Sequence, residues 1–419
     1  MTSRRTTYLV FNNLHMSKSV EPLKSDRSNP NTLPIKATLL LTSTLTVMSG
    51  ATIAPSLPAM QEYFADVENS ALLVRLVLTI PALFIAIGGL FAGSLVDRLG
   101  RKPLLVASTI LYGIAGGSGF ILNSLVTILI GRALLGLSVA GVMTGATTLI
   151  ADYYTGQKRA DFMGLQAAFM GLGGVVFLSV GGFIADLNWR SPFLIYLSAW
   201  VICLAIATTL YEPNSLVDTQ TVDASTNASM PWGVLAMIYG VALFYMVAFY
   251  LIPVQLPFYL QSLGSNSASA SGLAIAASTL ASSIVSLRYG FVKQHLSFVG
   301  IVSLAFGVAA IGYGIIGLAG SYNLVLLGLI IAGLGFGLLM PNLNVWLSSI
   351  IADSLRGKAL GGLTTFFFLG QFLSPIVSQP ITNSLGLDRT YSFTGVALLL
   401  VAAIFFVLRK QIKSWCESC

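Results

Sequence analysis

The chain has 419 residues, of which 55% are hydrophobic and only 9% charged, with a net charge of +7 and a mean hydropathy of +0.84. Soluble domains carry about 25% charged residues, so soluble globular, disordered and nucleic-acid-binding classes are excluded. The three cysteines, Cys203, Cys416 and Cys419, have neither metal-ligand spacing nor the look of a disulfide framework.

Residues 1–36 are polar and basic, with Arg4, Arg5, Lys18, Lys24, Arg27 and Lys36, and read as a disordered tail. The apolar cluster Tyr8–Phe11 is too short for a signal peptide, and Met16 is an alternative start. Apolar runs of helical length then follow at about 37–58, 71–95, 104–122, 126–151, 161–185 and 191–210. After a polar stretch, six more follow at about 232–257, 268–290, 296–319, 323–350, 358–384 and 390–409. None alternates as a barrel strand does, and backbone amides in lipid are satisfied within a helix. The expected fold is therefore all-α: a membrane protein with twelve transmembrane helices in two pseudo-symmetric six-helix bundles. The bundles span 37–211 and 231–409, with a flexible linker at 212–230 and a short tail at 410–419. The spans commit the chain to a lipid bilayer.

Placing the N-terminus in the cytoplasm puts 18 of the 22 Lys and Arg on that side, leaving only Arg190 and Arg389 outside and Arg75 and Arg132 within helices. This is the positive-inside pattern, with both termini cytoplasmic in a cell (inner) membrane. The net charge is thus a topology signal. Arg75, near the outer end of helix 2, is expected to snorkel.

The halves repeat. Ile150-Ala151-Asp152 recurs as Ile351-Ala352-Asp353, and Gly136 recurs as Gly337, both 201 residues on. Pro55 and Pro58 have counterparts in Pro253 and Pro257. Paired halves with broken helices at matching positions suit a rocking transporter, although proline near a helix end is also tolerated without one.

The most specific stretch is Gly93-Ser94-Leu95-Val96-Asp97-Arg98-Leu99-Gly100-Arg101-Lys102. Four charges fall within six residues of a chain that otherwise avoids them. Asp152, at the same membrane face, lies within reach of Arg101. Such a cluster can hold two bundles together in one state and release them in another. A basic turn that only fixes topology would explain the cations but not Asp97 and Gly93.

Here the chain resembles the major facilitator superfamily, over essentially everything after residue 36, and most closely its twelve-helix drug:proton antiporter branch. The stretch 93–102 is similar to that family's G-x-L-x-D-R-x-G-R-[KR] signature between helices 2 and 3. The resemblance implies a charge relay of Asp97, Arg101 and Asp152 that stabilises the outward-facing state. In the second half, Ser286–Lys293 keeps its cations but has Tyr289 where the acid would stand, so the relay there is lost. Gly131-Arg132-Ala133-Leu134-Leu135-Gly136 resembles the R-x-x-x-G element of helix 4, whose arginine tunes a nearby acid in proton-coupled members. Arg132 reads as a cavity residue, or alternatively as a staple to backbone carbonyls. The export branch's G-x-x-x-G-P-x-x-G-G on helix 5 is matched only in part, by Gly173 and Gly181-Gly182, with Phe177 and Leu178 at its G-P positions.

In this family helices 1, 4, 7 and 10 line the cavity, joined by 2, 5, 8 and 11. Here they offer Gln166, Tyr245, Gln255, Asn342, Asn344, Trp346 and Gln371 beside Arg132 as coupling or substrate residues. Aromatics and amides make a roomy surface for neutral amphiphiles. No Asp, Glu or His falls in mid-membrane, which argues against a strongly cationic substrate and leaves protons as a candidate partner without an assigned carrier. The expectation is a monomeric secondary transporter, exporting drug-like or metabolite small molecules by alternating access. The alternative is uptake or bidirectional carriage of a neutral or anionic metabolite. An enzyme is not expected, since it would need clustered His, Asp or Ser/Lys dyads at a membrane face, and the two His lie in the tail (His15) and a loop (His295). No cofactor is implied, and the absence of G-x-x-x-x-G-K-[ST] removes ATP hydrolysis.

Overall fold

The structure, a computed structural model, describes residues 30–213 and 230–412. Residues 1–29, 214–229 and 413–419, which hold most of the expected tails and linker, lie outside the described residues. The described residues are all-helical, and twelve helices are long and apolar enough to cross a membrane. The first six are α1 (Leu33–Tyr63), α2 (Ser70–Leu99), α3 (Arg101–Phe120), α4 (Leu125–Tyr153), α5 (Gly156–Leu187) and α6 (Ser191–Thr209). The second six are α7 (Trp232–Ser262), α8 (Ala268–Leu287), α9 (Phe298–Gly317), α10 (Tyr322–Ile350), α11 (Ser354–Leu385) and α12 (Leu387–Val407).

The spans fall where the apolar runs predict them, and several continue beyond the lipid. The helix of α5 begins at Gly156, five residues before its apolar run, because Gln157 to Asp161 add an exposed polar turn. Gln157 Nε2 donates to Asp161 Oδ1 (2.8 Å) across that turn. The two proline pairs act differently. At Pro55 and Pro58, α1 breaks into Leu33–Ala51, a single 3₁₀ turn Ala54–Ser56 and Leu57–Tyr63, since proline supplies no amide hydrogen to the ladder. The helix of α7 stays continuous through Pro253 and Pro257.

The internal repeat has a physical counterpart in the closest helix contacts. A Cβ on Gly136 would overlap the carbonyl of Pro81, and one on Gly337 would overlap the carbonyl of Ser282. Both residues of the second contact lie 201 positions after those of the first. The absent side chain lets α4 lie on α2, and α10 on α8, at backbone distance. A second symmetric device uses tyrosine. Tyr112 Oη donates to Leu45 O (2.7 Å) and Tyr196 Oη to Ser49 O (3.4 Å), tying α3 and α6 to α1. In the other half Tyr313 Oη donates to Ala248 O (2.5 Å) and Tyr391 Oη to Leu251 O (3.4 Å), tying α9 and α12 to α7. The two rings of each pair pack together, with centroids 5.9 Å and 5.5 Å apart. Buried hydroxyls must find an acceptor, and here they find one on the long helix that borders the other half.

The halves meet through α2 against α11 and α5 against α8. The ends of this interface are unequal. At the end that carries the 93–103 turn, called here the motif end, a Cβ on Gly89, Gly93, Gly357 or Gly361 would find no atom within 4 Å. At the far end α5 and α8 are in backbone contact: a Cβ on Gly182 would stand 2.9 Å from Ala268 O and 3.2 Å from Gly272 Cα. The halves are therefore in backbone contact at the far end, while these glycines of the motif end meet no neighbour across the interface.

Candidate functional site

At the motif end, Gly100 makes the turn from α2 into α3 with φ +91°, a conformation that favours glycine. The turn delivers Arg101 to the end of α4, where its Nε lies 3.1 Å from Asp152 Oδ2 in an ion pair. Glu212, just after α6, accepts from the backbone amides of Arg101 (2.8 Å) and Lys102 (2.7 Å), so a carboxylate caps the start of α3. Lys102 Nζ returns the contact by donating to Ala207 O (2.8 Å) and Leu210 O (2.6 Å) at the end of α6. Gly100, Arg101, Lys102 and Asp152 are thus brought together, with Glu212 as a member that the sequence did not disclose. Asp97 and Arg98 are exposed beside this cluster, and Asp97 has no partner among the described residues. Gly93 faces open space. Three of the seven motif residues thus stand free at the motif end.

In the corresponding corner of the second half a phenol stands where the first half has an acid. Burial pushes the Tyr289 phenol up to about 12, so it stays protonated and donates to Asn342 Oδ1 (3.2 Å). Asn342 Nδ2 donates in turn to Phe298 O (3.0 Å). Lys293 sits 4.0 Å above the Phe298 ring, whose other neighbour is the parallel ring of Trp346 (centroids 5.8 Å). Asn342 and Trp346, candidates for the cavity wall, are buried within this half. Asn344 Nδ2 donates to Met340 O (2.8 Å), one turn back on its own helix.

Within the first half, Gln166 of α5 donates to Ser43 Oγ of α1 (2.8 Å), and within the second Gln371 of α11 lies against Met246 Sδ of α7 (3.8 Å). Tyr245 is buried among Phe249, Phe336 and Phe367. Tyr250 crosses the interface: its hydroxyl would be only 2.6 Å from a Cβ on Gly50 of α1.

Arg132 is 1% exposed. Its Nε donates to Val77 O of α2 (2.9 Å) and its Nη2 to Ser49 O of α1 (2.6 Å). The Tyr196 ring lies 5.1 Å from the guanidinium carbon, and Nη1 has no hydrogen-bond partner. A charge at this depth costs about 2.5–3.5 kcal/mol on insertion scales unless it is compensated. Two carbonyls and a ring face supply part of that compensation, and no carboxylate among the described residues supplies the rest.

The far end is closed by a polar network that the sequence reading did not anticipate. Arg75, expected to reach the headgroups, turns inward and is 4% exposed. Its Nε donates to Gln255 Oε1 of α7 (2.9 Å), and its Nη1 to Gln61 Oε1 (2.8 Å) and Ala71 O (2.6 Å). The Phe258 ring covers the guanidinium at 3.8 Å. It turns inward because a neutral amide acceptor and an aromatic face are both available on α7. Gln255 passes the network on to Ser378 Oγ and Gln379 Oε1 (3.2 Å each), so this candidate cavity residue is part of the closure. Gln261 Nε2 donates to Glu62 Oε1 (2.7 Å), and Asp186 of α5 accepts from the amides of Ala268 (2.6 Å) and Ser269 (3.2 Å) at the start of α8. Hydrogen bonds to charged groups are worth about 1.5–3 kcal/mol each. The closure is therefore firm but releasable.

Two bundles related by an internal repeat, joined at one end of a bilayer-spanning interface and parted at the other, define a multi-pass membrane protein of the secondary-transporter class. Residues 39–349 and 238–417 match the Major Facilitator Superfamily, and the chain belongs to that family. The Staphylococcus aureus "Quinolone resistance protein NorA" is 22% identical over 362 residues, covering 82% of this chain and 91% of that protein. The Bacillus subtilis "Multidrug transporter protein MdtP" is 35% identical over 114 residues, or 27% of this chain and 21% of that one. Among solved structures, a D-xylose–proton symporter matches with a TM-score of 0.73 at 19% identity, over 89% of this chain and 96% of that one. A bacterial homologue of the human lysosomal transporter Spinster, inward-facing and occupied, matches with a TM-score of 0.74 at 17% identity, over 90% and 96%. The chain carries out secondary active transport of small molecules across a lipid bilayer, in a family that moves solutes rather than transforming them.

Proposed function

We propose that this protein exports drug-like or metabolite small molecules as a monomer in a cell membrane, with the motif end and both termini in the cytoplasm. The observation that carries the reading is the unequal interface, parted at the basic motif end and joined at the far end by Arg75, Gln255, Glu62, Gln261 and Asp186. With the positive-inside orientation this arrangement is open to the cytoplasm, the side from which an exporter loads. The named activities of NorA and MdtP favour efflux. Closing the motif end and opening the far end would complete the cycle. Asp97, unpaired in this arrangement, would then find its partners as α2 approaches α11 over Gly93.

Protons are the proposed driving ion. Asp97 and Asp152 are the acids of the motif end, and a coupling role would make the gate and the proton carrier the same group. The second reading, a carrier of a neutral or anionic metabolite working inward or in both directions, is favoured by Arg132, a buried cation without a carboxylate. Inside-out vesicles challenged with a compound panel, with and without a pH gradient, separate the two. Accumulation driven by the gradient supports proton-coupled export. Uptake confined to right-side-out vesicles, or indifferent to the gradient, contradicts it.

A further inference from the structure

We infer that Arg132, together with Tyr250, forms a subsite for a monoanionic group, of carboxylate type, on the transported molecule; this inference rests on the transport reading above. The two halves provide an internal control. Arg132 corresponds to Gly333, 201 residues on, and its acceptor Val77 O corresponds to Ser278 O. A Cβ on Gly333 would overlap Ser278 O, so α10 lies on α8 with no side chain between them. That half still ties its helices to α7 through Tyr313 and Tyr391, as the first half ties its own to α1 through Tyr112 and Tyr196. The scaffold is therefore built without a guanidinium, and a staple alone does not account for Arg132.

The guanidinium has a remaining valence. Nε and Nη2 are spent on the carbonyls of Val77 and Ser49, while Nη1 is buried and unpartnered. Tyr250 of the opposite half reaches the same turn of α1, with its hydroxyl against Gly50, the neighbour of Ser49. The hydroxyl has no hydrogen-bond partner among the described residues. Two donors without a partner, one from each half, thus lie at the same turn of α1. A carboxylate would accept from both, charge-assisted on the arginine side, and would supply the counter-ion that no Asp or Glu in mid-span provides. A ligand held this way would bridge the halves.

The test uses the full chain in lipid nanodiscs, with benzoate against benzamide and 1-naphthoate against 1-naphthamide at matched ionic strength. Each carboxylate is expected to bind at least about tenfold more tightly than its amide. The ratio should fall to about one in Arg132→Gln, persist in part in Arg132→Lys, and drop several-fold in Tyr250→Phe with thermal stability unchanged. A ratio of one in the unaltered protein for both pairs overturns the inference without recourse to any variant, and so does an undiminished ratio in Arg132→Gln or Tyr250→Phe. Counterflow of the same compounds in proteoliposomes keeps the two readings apart. Transport indifferent to charge removes the subsite and leaves the transporter, whereas carboxylate preference without transport does the reverse.

Discussion

The two six-helix halves share a scaffold and differ in charge. Glycines 136 and 337 seat the same helices on each other, and tyrosine pairs tie the same layers together. At three places the halves diverge. Arg132 faces Gly333 across the repeat. The acid of the first-half motif, Asp97, has as its counterpart the phenol of Tyr289, which donates to Asn342. The carboxylate that caps α3 belongs to Glu212, whereas α9 is capped by Ser297, whose hydroxyl accepts from Gly300 N. The repeated parts hold the fold, and the unrepeated charges are concentrated in the first half. The lesson is that pseudo-symmetry separates structural from functional roles where either half alone would be ambiguous.

That separation can be broken by experiment. Arg132→Ala is expected to reduce transport by about a hundredfold, the loss of one buried charge-assisted contact of about 3 kcal/mol. Full retained activity, measured by vesicle accumulation, would return the residue to a purely structural role. Asp97→Asn should lower transport by about tenfold, as for a gate residue used in only one of two states, with expression and melting temperature intact. An unaffected rate would sink the gate assignment.

Two smaller effects address the scaffold. Gly136→Ala and Gly337→Ala should each destabilise by about 1–3 kcal/mol through overpacking against a carbonyl, and by similar amounts. A large inequality in thermal unfolding would show that the repeat is not energetically symmetric. Glu212→Ala should cost about 1 kcal/mol as a lost helix cap, visible as a modest fall in melting temperature, and an unchanged value would mean that the cap is replaced by water.

Much of the fold was legible because lipid imposes it. A run of about 20 apolar residues can only be a span, and the few charges mark the ends. The Arg101–Asp152 pair was legible for the same reason, as two isolated charges at one membrane face. Side-chain direction was not. Gln255, Asn342 and Trp346 lie on the helices expected to border the cavity, yet Gln255 closes the far end and the other two point into their own half. Helices that are apolar all round give no stripe from which to read a facing direction. The inward turn of Arg75 has no local signal, because its partner Gln255 lies 180 residues away. Glu212 belongs to the same class, as a cap supplied from 111 residues away.

In the proposed cycle one end of the interface opens as the other closes. Single cysteines at Gly93, which faces open space, and at Ser56, which is 1% exposed within the far-end closure, report on the two ends once Cys203, Cys416 and Cys419 are replaced by serine. With a membrane-impermeant thiol reagent admitted to both faces, rapid labelling is expected at position 93 and protection at 56 at rest. A transported compound should shift the two rates in opposite directions. Labelling that rises or falls together at both positions, or that ignores the compound at both, would contradict that cycle.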